Sequence, residues 1–406
     1  MDDKVSVRRQ SGRPMRVALV TETYPPEVNG VAMTLGRMVD GLRRRGHAVH
    51  LVRPRQNDDE SPILNDDFAE TLVRGLPIPR YEGLRFGLPA RDALVKAWRH
   101  ATPDIVHVAT EGPLGWSAIN AARALGLPVS SGFHTNFDAY SRHYGFGWLR
   151  RPIAAYLRGL HNRTDATLVP TRGLSRELAA QGYRKLAVVS RGVDTWLFNP
   201  ERRNEALRAS WGAGPDDLVA TYVGRLAPEK NLHLVLAAFA AIRAARPDAR
   251  LVFVGEGPLL KPLSARHPEH IFAGLRRGAD LAEHYASADL FLFPSLTETF
   301  GNVTAEALAS GLGVVAYDCA AAADLIEDGL NGRLASPGDA AAFASAAAAL
   351  AGERAELAQI RAIAAPSVAH LDWESIHDAF AAAIARTVAT HKRRQHAENA
   401  LVAALD

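Results

Sequence analysis

At 406 residues the chain exceeds the usual reach of one hydrophobic core, so two domains are expected. Hydrophobic residues make up 48% and charged residues 22%, with no run of eighteen apolar residues, which argues against a disordered chain and against a membrane-spanning helix. The one cysteine, Cys319, excludes an internal disulfide and any metal cluster built on cysteines, and it fits a reducing cytoplasm.

The first 14 residues lack an apolar signal core and read as a disordered tail. Residues 15–21, MRVALVT, form a short apolar run that reads as a buried strand. EVNGVAMTLGRMVDGLRRRG then shows helical periodicity and stops at Gly46, a residue suited to a helix end. HAVHLVRP, DIVHVAT, LPVSSGFHT, ATLVPT and LAVVSRGVD repeat the strand pattern with helices between them. Polar, turn-rich residues near 195–215 interrupt the alternation, and it restarts with LVATYVGRL, ARLVFVGEGP, HIFAGL, LFLFPS and GVVAYD. Strands alternating with helices predict an α/β fold of two Rossmann-like, doubly wound parallel-sheet domains, at 15–198 and 199–372.

The net charge of +3 divides unevenly: residues 1–195 carry 28 Lys+Arg against 19 Asp+Glu, the rest 19 against 25. No nucleic-acid motif accompanies the basic half, so no nucleic-acid partner is expected. A basic half facing an anionic membrane is one reading and an Arg-rich solvated surface the other. Residues 141–163 carry five Arg, no acid, and Tyr144, Phe146, Trp148 and Tyr156. That mixture fits a helix lying on a membrane surface, or a helix packing its apolar side within its own domain.

The stretch PSLTETFGNVTAEALASGLGVV reads as strand end, polar turn, helix and a Gly-rich exit. A turn that opens a helix aims free N–H groups at one point, which suits an anion such as a diphosphate. Glu298 and Glu306 flank the turn Thr299-Phe300-Gly301-Asn302, with Glu306 about two helical turns beyond Glu298 on the same side of the pocket. A carboxylate pair also suits a glycosidase, but a helix N-terminus between the two invites phosphate instead. Arg225 and Lys230, at the end of the second domain's first strand, are placed to neutralise that phosphate. In the first domain Gly30 allows close backbone approach at the sheet edge where ligands bind, and His134 ends another strand at the same edge. Two absences narrow the chemistry. The acidic pairs Asp58-Asp59 and Asp66-Asp67 sit in a polar stretch and form no Asp-x-Asp metal motif, and no P-loop occurs.

Gly30, His134, Arg225, Lys230, Glu298 to Asn302 and Glu306, in this order, resemble the retaining GT-B glycosyltransferases of family 4 over residues 15–390. SRGVDTWLFNPERR and TETFGNV look most like the GDP-mannose-dependent α-mannosyltransferases that act on glycolipids, while sulfoquinovosyl- and glucosyl-diacylglycerol synthases share much of the pattern. The resemblance implies transfer of a hexose, α-mannose first and a UDP-linked sugar as the alternative, from a nucleotide sugar to a lipid or glycan acceptor. It implies roles as well: His134 steadies the sugar, Glu298 holds its hydroxyls, and Arg225 with Lys230 takes the phosphate charge. Backbone groups at Phe300, Gly301, Asn302 and Val303 assist, Glu306 holds the ribose, and Leu275 lies near the base. The family usually has two glycines where this chain has Asn29-Gly30, which leaves the phosphate contact there to Gly30. Further implications are metal independence with no cofactor, a cytoplasmic enzyme peripheral to the inner face of the plasma membrane, and a final helix from about 373 to 406 crossing back to the first domain. A nucleotide-sugar epimerase and a non-catalytic sensor on the same fold are the remaining alternatives.

Overall fold

Short apolar runs such as IVHV, VATYV and LFLF are buried along their whole length, as strands covered on both faces must be. The computed structural model describes residues 13–27, 29–57, 59–77, 85–134 and 150–403. In the first half the strands are β1 (Arg16–Val20), β2 (Ala48–Pro54), β3 (Phe68–Val73), β4 (Gly75–Pro77), β5 (Arg85–Gly87), β6 (Ile105–Val108), β7 (Val129–Gly132), β8 (Ala166–Val169) and β9 (Leu186–Val188). Seven of them form one sheet in the order β3-β2-β1-β6-β7-β8-β9, and β4 and β5 pair as a small antiparallel ribbon. The second half adds β10 (Val219–Val223), β11 (Arg250–Val254), β12 (Ile271–Gly274), β13 (Leu290–Phe293), β14 (Gly313–Tyr317) and β15 (Arg333–Ala335). They form a sheet ordered β12-β11-β10-β13-β14-β15. Both sheets are parallel throughout.

Each sheet grows outward from its first strand, then restarts on that strand's other side. The switch falls between β1 and β6 in the first sheet and between β10 and β13 in the second. At such a switch the loops leaving the two strands diverge, and the crevice between them takes ligands in folds of this class.

The strands that pattern reading passes over are β3, β4, β5 and β15, each three to six residues long. Asp66 and Asp67 directly precede β3, and Asp67 is not simply solvated: both its oxygens accept from Arg43 at 3.0 Å. Of the basic aromatic segment 141–163, residues 141–149 lie outside the described residues. From Arg150 to Asn162 it is a helix that buries Leu157 and Leu160 within its own domain, and Tyr156 stacks on Trp116 with centroids 5.5 Å apart. Its described part therefore packs its apolar side inward, the second of the two readings. No described helix is long and apolar enough to cross a membrane.

The last helix, Trp373–Ala403, returns to the first domain. Its Phe380, Ile384 and Val388 share a core with Leu35, Met38 and Leu42 of the helix Gly30–Arg44. Gly41 makes the approach possible, because a Cβ there would stand 2.3 Å from the His377 ring.

In the second domain one buried acid collects three guanidinium groups. Asp289 Oδ1 accepts from Arg203 at 3.0 Å and Arg361 at 2.8 Å, and Oδ2 accepts from Arg208 at 3.1 Å and from the Val219 N–H at 2.9 Å. Arg208, fully buried, also donates to the carbonyls of Ser287, Gly214 and Asp217. This cluster fastens the interdomain segment to the start of β10. Removing its anion leaves buried cations uncompensated, so Asp289→Ala should lower stability by about 3–5 kcal/mol, read as a reduced urea midpoint; an unchanged midpoint would show the cluster to be dispensable.

Candidate active site

The turn after β10 is shaped by close backbone approach. Gly255 (φ +137°) and Gly257 (φ +153°), after β11, have no room for side chains: a Cβ would lie 2.0 Å from Gly224 O and 2.4 Å from Leu226 O. These glycines thus press the segment Gly224-Arg225-Leu226 into place rather than forming a dinucleotide fingerprint. Arg225 is 54% exposed and stands 3.5 Å from Glu229. Pro228–Lys230 forms a single 3₁₀ turn, and Asn231 follows in the left-handed region (φ 59°). The Asn231 side chain donates to Pro294 O at 3.2 Å, which ties this turn to the end of β13.

Across the switch, Lys230 Nζ meets Glu298 Oε1 in an ion pair, and Ser295 Oγ donates to the same oxygen at 2.9 Å. The two side chains are only 12% and 17% exposed. Gly301 (φ +91°) then opens the helix Asn302–Ala309, which has no capping side chain. Its first N–H groups stay available, and the positive end of the helix dipole adds to their attraction for an anion. Within that helix Glu306 Oε2 accepts from Tyr285 OH at 3.0 Å, and burial pushes the Glu306 carboxyl up to about 7.

The remaining expected residues are distributed unevenly. The Phe300 ring is 2% exposed and packs in the core of the second domain, and its carbonyl accepts from Ala321 N–H. Any ligand contact at Phe300 therefore falls to its main chain rather than to its ring. Asn302 and Val303 are half-buried, and Asn302 Oδ1 is buried without a hydrogen-bond partner. Leu275 is 46% exposed just after β12, next to a Gly274 carbonyl already engaged by Gly255 N–H. Gly30 is the first residue of its helix, and a Cβ there would meet nothing within 4 Å, so the protein itself imposes no need for glycine. Asn29 caps that helix by accepting from the Val31 and Ala32 N–H groups.

His134 follows β7 and is half-buried. Its ring folds back over Gly132, where a Cβ would lie 2.5 Å from Nε2. It lines a cavity of about 20 Å³ with His107, Arg191, Met38 and Phe380. Burial, then the charge of Arg191 and the neighbours His107 and His161, hold it well below the ordinary histidine value, so it is neutral. Sequence reading missed Arg191, Ser295 and Tyr285. Arg191 stood within the quoted SRGVD, while Ser295 and Tyr285 carry no local signal for their contacts with the two glutamates. Among the described residues, the one group of three side chains placed to hold a metal is His267, Glu269 and His270. It precedes β12, at the opposite end of the sheet from Lys230 and Glu298.

Two family models match the chain: Glycosyltransferase Family 4 over residues 28–197, and Glycosyl transferases group 1 over residues 217–353. A GDP-mannose-dependent alpha-mannosyltransferase of Mycolicibacterium smegmatis is 38% identical over 314 residues, 77% of this chain and 82% of that one. One of the same description from Mycobacterium tuberculosis is 36% identical over 80% of this chain and 85% of its own length. Among solved structures, sucrose-phosphate synthase from Thermosynechococcus elongatus superposes with a TM-score of 0.75 at 19% identity, covering 93% of this chain and all of that one, a likeness of fold.

Glu306 and Glu22 are both pushed up to about 7 by burial, Glu22 with Glu111 as a further neighbouring charge. Each then binds more proton in the folded than in the unfolded state between pH 4.5 and 7, so each lowers stability as pH rises through that window. The melting temperature of Glu306→Gln should exceed that of wild type by a margin that widens from pH 5 to pH 8; a margin independent of pH would show that Glu306 does not titrate there.

Proposed function

The chain belongs to family 4 of the glycosyltransferases, and on that premise we propose that it transfers an α-mannosyl group from GDP-mannose to a lipid or glycan acceptor, with retention of configuration and without a metal ion. The observation that carries this reading is the Lys230–Glu298 pair set at the β10/β13 switch beside the uncapped helix at Gly301. One cation, one carboxylate and one ring of free N–H groups converge where a sugar diphosphate needs all three. The identity of the GDP-mannose-dependent relatives, 36–38%, favours mannose as the sugar.

Departure of the nucleoside diphosphate builds negative charge on the phosphate. Lys230, Arg225 and the N–H groups at Asn302 and Val303 meet that charge as it forms, the role a metal takes elsewhere, with little reorganisation. Glu298 accepts hydroxyls of the sugar once Lys230 turns toward phosphate. Neutral His134 steadies the sugar from the first domain, and Glu306 accepts from the ribose. No side chain is needed as a nucleophile in a front-side route, because the leaving phosphate takes the acceptor proton on the face from which it departs. A peripheral position on the inner face of the plasma membrane would bring a lipid acceptor to the basic first domain.

Lys230→Ala and Glu298→Ala should each lose about 10²–10³ in kcat while melting cooperatively, a loss typical of removing one group that stabilises developing charge. Near-normal turnover in either would remove that residue from the mechanism. With EDTA present, GDP should raise the melting temperature more than UDP or ADP; a rise specific to UDP would move the reading to a UDP-sugar donor.

A further inference from the structure

Arg191 is a buried cation with no carboxylate in contact among the described residues. It is 7% exposed, and burial lowers its affinity for the proton to about 10, with Glu298 pulling the other way. One Nη donates to the main-chain carbonyl of His134 at 3.2 Å. Its Nε is buried without a hydrogen-bond partner, as are Nε2 of His134 and Nε2 of His107, and all three residues line the same small cavity. The cavity has room for about one water molecule, and three nitrogens would hold it. His107 Nδ1 is engaged with Ser130 Oγ at 2.9 Å, and its ring packs edge-on against Phe380 of the returning helix. The cavity is therefore walled by both halves of the crossover: β6 and β7 on one side, the last helix on the other.

Arg191 also stands on the strand of chain that leaves the first domain. The next residue, Gly192, lies against the Trp373 ring, where a Cβ would be 2.6 Å away, and Val193 N–H donates to Leu371 O at 2.9 Å. The chain's two crossings between domains thus touch each other within two residues of Arg191.

We propose that Arg191 is a positioning residue for His134. It clamps the main chain of His134 from the interdomain crossing, and its charge adds to burial in keeping the imidazole neutral. The groups facing His134 are Arg191, His107 and His161 from the crossing, β6 and the helix Arg150–Asn162, with apolar Met38 and Phe380 completing the wall. Among the described residues, the charge acting on His134 is positive or neutral, and Arg191 carries the permanent part. This proposal rests on the glycosyltransferase reading for the role of His134, whereas the clamp itself does not.

Two experiments separate the clamp from the reading it rests on. In ligand-free protein labelled with ¹³C-histidine, the His134 signal, assigned by its loss in His134→Ala, should titrate well below the ordinary histidine range. In Arg191→Gln it should titrate at higher pH. Titration of wild-type His134 near its ordinary value, or an unchanged value in Arg191→Gln, would overturn the clamp whatever the enzyme's activity. In steady-state mannosyl transfer, Arg191→Gln should lose about 10²-fold in kcat, the scale of a catalytic group misplaced by an ångström. Arg191→Lys, which keeps the charge, should recover part of the loss and restore the His134 titration. In a His134→Ala background, Arg191→Gln should cost little more, because the two act as one unit. A full additional loss there would show that Arg191 acts on its own, and absence of transfer in wild type would instead refute the proposed function.

Discussion

The organising contact is the ion pair between Lys230 and Glu298. It joins two turns that are 68 residues apart in sequence, and it exists because β10 and β13 are neighbours at the point where the second sheet reverses its order of growth. A largely buried pair of this kind contributes little net stability, since the desolvation of both ions offsets their attraction. Packing two apolar side chains there would hold the turns together at least as well. On the proposed function, the pair instead stores a cation and an anion side by side until a ligand carrying both phosphate and hydroxyl groups separates them.

Everything around the pair serves that arrangement. Gly255 and Gly257 let the β11 exit press on the Arg225 turn, Asn231 fastens the Lys230 turn to Pro294, and Ser295 fixes one Glu298 oxygen. The glycine at Gly301 replaces the side-chain cap that most helices carry, so the helix start remains an anion site. In the first domain the equivalent helix, Pro113–Ala124 after β6, also starts on a glycine, Gly112, without a side-chain cap of its own, but Glu22 accepts from its Leu114 N–H at 3.2 Å. The first domain carries His134, and the returning helix with Phe380 closes the wall behind it. Because that helix and the segment 191–193 are the two crossings, domain closure and the shape of the His134 cavity are mechanically joined.

Much of this was legible in the sequence, and the parts that were not share a cause. Strand runs such as LFLF and GVVAY announce themselves because both faces are buried, and the Glu298-to-Glu306 spacing shows a turn opening a helix. β15 is three residues long, and both it and β3 lie at sheet edges, where one neighbour and partial exposure blur the pattern. Phe300 sits inside the motif, but its ring belongs to the core of the second domain, a placement that spacing alone does not show. Arg191, Tyr285 and Asp289 were invisible for another reason: each acts on a partner brought near by topology, at separations of 57 residues to His134, 21 to Glu306 and 70 to 86 to its cluster mates before it. Spacing along a chain cannot report contacts of that kind. The basic aromatic stretch 141–163 shows the converse, since its composition fits a membrane surface equally well as the inward-facing helix that its described part forms.

The most direct test of the central claim is a crystal structure with a GDP-mannose analogue whose sugar bond resists cleavage. The account predicts that Lys230 Nζ leaves Glu298 and lies within about 2.7–3.2 Å of a diphosphate oxygen, with the Glu298 carboxylate on the sugar hydroxyls and the helix start at Gly301 against the phosphate. A complex in which the Lys230–Glu298 pair stays closed and the nucleotide binds away from the β10/β13 switch would contradict it.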